Sequence, residues 1–453
     1  MKVENRSIDF VPENERYGKP RSLFFVWFGA NANITTVAAG VLPISLGLNL
    51  FWSVISILAG SMIGAIFMAS HSAQGPKLGI PQMIQSRAQF GVFGAIVPLI
   101  FVMMIYLGFF VSNTLLAAQA IVNASPLSNE TNIVLLGAVC FLVALFGYQL
   151  IHRFQKILSL VSIVVFGIAS YYALTMAIEP GQWTLQGFSW VSFLASVSIS
   201  VTWQLSYAPY VADYSRYLPT QTSSQQVFWY SYLGTVIGGS WMMILGAVLA
   251  KSMAGFSNNV GLNLVGVLGG GTILTFAFVL YGQIAINVFN LYGAFMSTVT
   301  VVEPYSRLKV TPGVRAGFML VICSAATGLC TLAQDDFLQF FLNFIFFMSY
   351  FLIPWTAINL VDYYALRKGV YQIADIFEPN GVYGKVNWIA ITVFLTTIIL
   401  EVPFMSTSLY VGPVAQQLEG IDLAWAAGLV FPAIAYYWLM KRRKTSMSTL
   451  AEV

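Results

Sequence analysis

The chain has 453 residues, of which 58% are hydrophobic and 8% charged, with a formal net charge of +4. A soluble domain carries about 25% charged residues, so a water-coated globule is excluded. A crossing helix needs roughly 20 apolar residues, and the composition therefore predicts an all-α integral membrane protein of about a dozen spans.

Residues 1–21 are polar, contain Lys2, Arg6, Arg16, Lys19 and Arg21, and have no early apolar core. They read as a cytoplasmic tail rather than a cleaved signal. Twelve apolar runs follow, at 22–48, 50–70, 92–122, 132–150, 155–178, 189–213, 225–250, 270–302, 314–333, 337–361, 387–408 and 421–440. With the N-terminus inside, the inner segments hold 20 of the 21 Lys and Arg, ending in the basic run 441–444, and only Lys251 lies outside. Basic side chains are poorly translocated. Both termini, including a C-terminal tail at 441–453, are thus expected on the cytoplasmic face of the plasma membrane, the inner membrane in a bacterium.

Two tracts between the runs are unusual. Residues 71–91 are too polar to span and are expected to form a cytoplasmic loop with short helical or re-entrant pieces. Residues 251–270 are glycine-rich and are expected outside as a lid or short surface helices. Asn129-Glu-Thr matches a glycosylation acceptor, which has no meaning in a bacterium. Cys140, Cys323 and Cys330 lie in apolar runs with no metal-ligand or redox spacing and read as small core residues.

The first run contains GANANITTVAAGVLP, placing Gly29, Asn31, Asn33, Thr35 and Thr36 where the apolar stripe should continue. Five runs later, WQLSYAPYVADYSRY interrupts the sixth with Gln204, Ser206 and Pro209. Proline removes a backbone donor and clashes with the preceding turn. Loosened backbone at membrane depth is tolerated only where protein or a water-filled cavity surrounds it. Interruptions at corresponding places of two halves point to a transporter of inverted repeats, with its site between the breaks. The expected units are 22–178 for spans one to five and 189–361 for spans six to ten, with two further spans at 387–440.

Ionisable groups at depth are few. Asp213 and Arg216 can pair along a helix, Glu303 and Asp362 lie near inner ends, and Glu401 lies towards an outer end. His71 and His152 fall in expected loops. The interior offers amides and aromatics instead. Tyr106, Phe109 and Asn113 share one face of the third span, and Gln283, Asn287 and Asn290 form a polar stripe on the eighth. An amide both donates and accepts, as the edge of a flat heterocycle does, and aromatics such as Phe109 and Trp203 can stack on its faces.

Four stretches carry a resemblance: GPKLGIPQMIQSRAQFG after the second span, GFFVSNTLL in the third, APYVADYSRYLP in the sixth and NLVDYYALRKGVY after the tenth. Together they resemble purine–cytosine permeases, members of the first nucleobase–cation symporter family, over about residues 20 to 375. The resemblance implies twelve transmembrane helices in a LeuT-like five-plus-five inverted repeat, with helices one and six broken and two helices added at the C-terminus. It also implies inward transport of a nucleobase driven by sodium or protons, with no cofactor. Carried onto this chain, the stacking position in the third span is Phe109, with Asn113 beside it. Asn33 matches the polar position after the first break, and Gln283 and Asn287 match the amides of the eighth span. In the sixth span either Gln204 or Trp203 falls at the aromatic position. Sodium-coupled relatives hold the ion with carbonyls at positions matching Gly29 and Ala32 and with hydroxyls where this chain has Ile286 and Asn287. A hard cation prefers oxygen ligands, so protons are the favoured coupling ion.

The expected function is a secondary active symporter for a purine or cytosine, acting as a monomer, with substrate-binding residues Asn33, Tyr106, Phe109, Asn113, Trp203, Gln204, Ser206, Gln283, Asn287 and Asn290. The alternative cargo is another ring, such as a hydantoin, allantoin, or a thiamine- or pyridoxine-like compound, and after these an amino acid. Enzymatic motifs and a channel filter are not found, and no nucleic-acid partner is expected.

Overall fold

The structure, a computed structural model, describes residues 9–146, 148–268, 273–306 and 311–451. Lys2, Arg6, Arg307 and Lys309 lie outside the described residues, as do the side chains of His152, Arg153, Lys156, Glu303 and Lys444. Helices dominate, and the only strand-like feature among the described residues is an isolated bridge between Ser406 and Val411.

The first run is two helices, α1 (Ser22–Asn31) and α2 (Ile34–Ser45), bent by 60° at Ala32 and Asn33. The bend has a chemical cause. Asn33 leaves helical torsions at φ −146°, ψ 163°, and its side-chain oxygen accepts from the Thr36 amide at 3.0 Å, capping the new helix. α3 (Leu50–Ser72) follows, then α4 (Gly75–Leu78) and α5 (Gln82–Phe90), α6 (Ile96–Ile121), α7 (Asn129–Phe146) and α8 (Tyr148–Thr175). The sixth run is α9 (Trp190–Leu205) and α10 (Ala208–Ser215). Next come α11 (Ser224–Ser252), α12 (Val260–Val267), α13 (Ile273–Ser306), α14 (Pro312–Ala333) and α15 (Phe337–Leu360), the last running into a π-helical turn at Val361–Leu366. α16 (Trp388–Glu401), α17 (Pro413–Gln417) and α18 (Ala424–Ala451) complete the chain. Six helices among the described residues are long and apolar enough to cross a membrane, and the bent pair α1–α2 makes a seventh.

The second interruption is milder than the sequence suggests. Ser206 and Tyr207 keep right-handed helical torsions, at φ −59° and −83°. Pro209 stands in the first turn of α10, where a missing amide hydrogen leaves no helical bond unmade. The sixth run is therefore re-started rather than unwound.

Packing follows small residues. α3 carries Gly60 and Gly64 four apart; a Cβ on either would lie 2.5 Å from the carbonyl oxygen of Val197 or Val201 on α9. α2 and α11 meet in the same way, with a Cβ on Gly40 falling 1.9 Å from the Met243 carbonyl oxygen. Such spacing lets backbones touch where no hydrophobic effect drives helices together. α13 lies along α6, while α15, α16 and α18 pack together at the side.

The polar tract 71–91 does form short helices, but it is buried rather than loop-like. Gln82, Gln85, Arg87 and Gln89 are all at most 2% exposed. Their partners are spread over several elements: Gln82 meets the His71 ring at 3.1 Å, Arg87 donates to the Thr300 carbonyl of α13 at 3.4 Å, and Gln89 donates to Asp362 beyond α15 at 3.0 Å. Trp355 of α15 donates to the Ser86 hydroxyl at 2.9 Å. His71 is not in a loop; it ends α3 and stacks on Trp355 at 4.8 Å with 4° between rings. His152 lies within α8. Asp213 accepts from the Gln82 amide at 2.8 Å, joining α10 to α5, and Arg216 donates to the Asp9 carbonyl at 3.1 Å. The tract 251–270 supplies the short helix α12, which packs along α6 with Val260, Leu264, Val265 and Val267 buried rather than lying on the surface. The three cysteines are free and buried.

Candidate functional site

α6 and α13 present their polar stripes to each other beside the start of α2. Thr35 donates to the Asn113 side-chain oxygen, and Gln283 donates to the Thr35 hydroxyl at 3.4 Å and to the Asn113 carbonyl at 3.3 Å. Asn113 donates to Asn287 at 3.1 Å. Asn287 in turn donates to the Thr114 hydroxyl at 2.8 Å and the Phe110 carbonyl at 3.2 Å, and it accepts from Asn290 at 3.5 Å. Every one of these side chains is buried. Three elements thus share one amide ladder whose groups both donate and accept, a lining suited to an uncharged polar edge.

Aromatic rings stand next to the ladder. Phe109, one turn from Asn113, meets Trp203 of α9 edge to face at 5.9 Å and Phe344 of α15 at 5.3 Å. Tyr106 lies one turn further along α6, packed on Gly293 and 6.0 Å from Tyr210. A flat ring held between two faces needs them roughly 7 Å apart, twice a carbon contact distance. Phe109 and Trp203 meet edge-on at a shorter distance, so the slot between them is shut.

Not every expected residue joins this group. Gln204 turns the other way, accepting from Thr235 of α11 and donating to the Thr235 carbonyl at 3.3 Å. Ser206 donates to the Trp203 carbonyl of its own helix at 2.6 Å. Asn33 is occupied as the cap of α2 and donates to the Ala30 carbonyl at 2.7 Å. Thr35, Thr114, Asn31 and Thr235 are tied into the polar contacts without having been singled out as binding residues. Thr35 and Asn31 had a signal in the polar row of the first run, whereas a lone threonine in an apolar helix gives none.

A cavity of about 60 Å³ opens where α1 ends, lined among others by Gly29, Ala32, Asn33, Ser162, Gln283 and Ile286. Ligand pockets begin near 300 Å³, so this space takes an ion or waters and not a ring. Gly29 and Ala32 do flank it, and Ile286 faces it, while Asn287 points away into the amide ladder. The Gly29 carbonyl already accepts from the Ala32 amide at 3.1 Å. Among the described residues no group of three His, Cys, Asp or Glu is placed to hold a metal ion.

Comparison with known proteins gives a consistent picture. A putative purine-cytosine permease, YxlA of Bacillus subtilis, is 55% identical over 98% of this chain and 97% of its own length. Purine-cytosine permease fcyB of Emericella nidulans is 25% identical over 97% of this chain and 88% of its own. Among solved structures, inward-facing Mhp1 superposes with a TM-score of 0.76 at 18% identity, covering 98% of this chain and 95% of that one. Mhp1, a nucleobase-cation-symport-1 family transporter, in a closed conformation with bromovinylhydantoin bound superposes with a TM-score of 0.74 at 18% identity. The likeness at this identity shows a shared fold. The family model described as permease for cytosine/purines, uracil, thiamine, allantoin matches residues 10–428, and the chain belongs to that family of multi-pass membrane permeases.

Proposed function

We propose that this protein is a secondary active symporter that imports a purine base or cytosine by alternating access. The amide ladder of Asn113, Gln283 and Asn287 beside Phe109 carries the reading. Its groups offer donors and acceptors in a row and no net charge, which suits the edge of a neutral nucleobase and not a carboxylate. Purine-cytosine permeases among the relatives support the class of cargo. The hydantoin in the Mhp1 complex supports a related flat ring as the alternative.

The substrate lies between Phe109 and Trp203, read on its edge by Asn113, Gln283, Asn287 and Asn290, with Tyr106 and Asn33 at the margins. Binding parts the two rings, and the amides exchange bonds with each other for bonds with the base. The chain crosses the membrane twelve times, with 22–178 and 189–361 as inverted repeats, 387–440 as two added spans, and both termini cytoplasmic. It acts as a monomer. Protons drive uptake, since Ile286 gives the small cavity no side-chain oxygen where the family's sodium-coupled members have hydroxyls.

Uptake of labelled purines and cytosine into cells, with unlabelled bases, hydantoins and allantoin as competitors, tests the cargo. Saturable uptake inhibited by one or more nucleobases is expected. Inhibition by hydantoin or allantoin alone would move the protein to the alternative, and no competition by any ring would overturn the reading.

A further inference from the structure

Asn31 is the last residue of α1 and is fully buried. A side-chain amide offers two donors and two acceptor directions, and here all four are used. Its oxygen accepts from the Trp203 indole at 3.0 Å and from the Tyr207 hydroxyl at 3.2 Å. Its nitrogen donates to the Trp27 carbonyl at 2.8 Å and to the Thr235 hydroxyl at 3.2 Å. One side chain therefore joins the end of α1 to both halves of the sixth run and to α11.

The surroundings are shaped for it. On α11, a Cβ at Gly238 would come 3.2 Å from the Asn31 Cβ, and one at Gly239 would come 2.5 Å from the Gln204 amide nitrogen. Trp203 has a single donor, and spending it on Asn31 fixes the plane of an indole whose other side meets Phe109. Truncating Asn31 leaves a buried indole N–H without its acceptor and the Tyr207 hydroxyl with only the Ala30 carbonyl at 3.5 Å, which is costly in a dry interior.

We propose that Asn31 is a positioning residue for ring recognition: it sets the Trp203 indole that forms one wall of the site, without touching the solute. This rests on the ring-binding reading above. It predicts that Asn31 governs affinity through Trp203 and through nothing else.

The test is a double-mutant cycle on uptake, with transporter at the membrane quantified for each variant. Asn31→Ala and Trp203→Phe are each expected to raise KM about tenfold, the equivalent of one lost buried hydrogen bond, with maximal rate changed less than about threefold. The double variant is expected to be at most about twofold worse than Trp203→Phe alone, because the two share one interaction. Fold-changes that multiply, or a loss confined to maximal rate, would overturn the inference. If Asn31→Ala fails to accumulate, Thr235→Val loosens the Asn31 nitrogen and also removes the donor to Gln204, while leaving the Asn31 oxygen in place. Gln204→Ala is run beside it to measure the second change on its own. Thr235→Val should raise KM about threefold with Trp203 present and leave it unchanged in Trp203→Phe, and equal effects in both backgrounds would overturn the inference. Thermal unfolding of the same variants in detergent separates this inference from the transport reading. Non-additive shifts with no uptake of any heterocycle by the parent protein would sink the transport reading and leave the Asn31–Trp203 joint standing. Additive shifts alongside normal uptake would sink the inference alone.

Discussion

Asn287 meets more of its neighbours than any other residue of the ladder, accepting from Asn113 and Asn290 and donating to Thr114 and Phe110. Removing it strands the Asn113 amide in a dry interior, at about 1–3 kcal/mol for an unsatisfied group, and takes one bond from the Thr114 hydroxyl. Asn287→Ala is expected to abolish uptake and to lower the unfolding temperature, while Asn113→Ala abolishes uptake with the protein still reaching the membrane. Normal kinetics in both would show that the ladder is helix glue and nothing more. Ser206 makes the opposite case. Its hydroxyl donates only to the Trp203 carbonyl, which also accepts from the Ser206 amide at 3.2 Å. Ser206→Ala should leave uptake within about twofold of the parent, and a large loss would put that hydroxyl on the solute.

Glycines decide whether the helices can meet at all. Gly60→Leu or Gly64→Leu would drive a side chain into the backbone of α9, against a carbonyl that cannot move aside. Overpacking of this kind costs about 1–3 kcal/mol or more, and either variant is expected to accumulate poorly and unfold at lower temperature than the parent. Unchanged expression and unfolding would mean α3 and α9 are not in register as described. At this scale the sequence was a good guide to helices and a poorer one to their breaks. The asparagines at 31 and 33 did mark the first break, because one caps a helix and the other closes one. Pro209, read as an interruption, merely starts α10, and prolines inside helices, Pro43 in α2 and Pro354 in α15, show that a proline need not end one. The polarity of 71–91 was legible, but its burial was not. Gln89 and Asp362 are partners 273 positions apart, and nothing local in either announces the other.

For the whole molecule, the decisive property is what drives the motion. The cavity at the end of α1 is where we propose that an ion would couple to the first break, since Gly29, Ala32 and Asn33 all border it. Among the described residues its side-chain oxygens come from Asn33, Ser162 and Gln283 alone: the Asn33 oxygen is engaged by the Thr36 amide, and Ile286 supplies none. A hard cation stripped of water needs several oxygens at once, so replacing sodium by choline is expected to leave uptake unchanged, while a proton uncoupler cuts it severalfold. Uptake lost with sodium would mean that main-chain carbonyls and Ser162 suffice, and proton coupling would be abandoned. The same geometry predicts a gain. Ile286→Thr places one hydroxyl at the cavity wall at the cost of the terminal methyl, and it should make uptake rise at least about twofold on adding sodium. A variant that folds, transports and ignores sodium would show that this cavity is not where the ion acts.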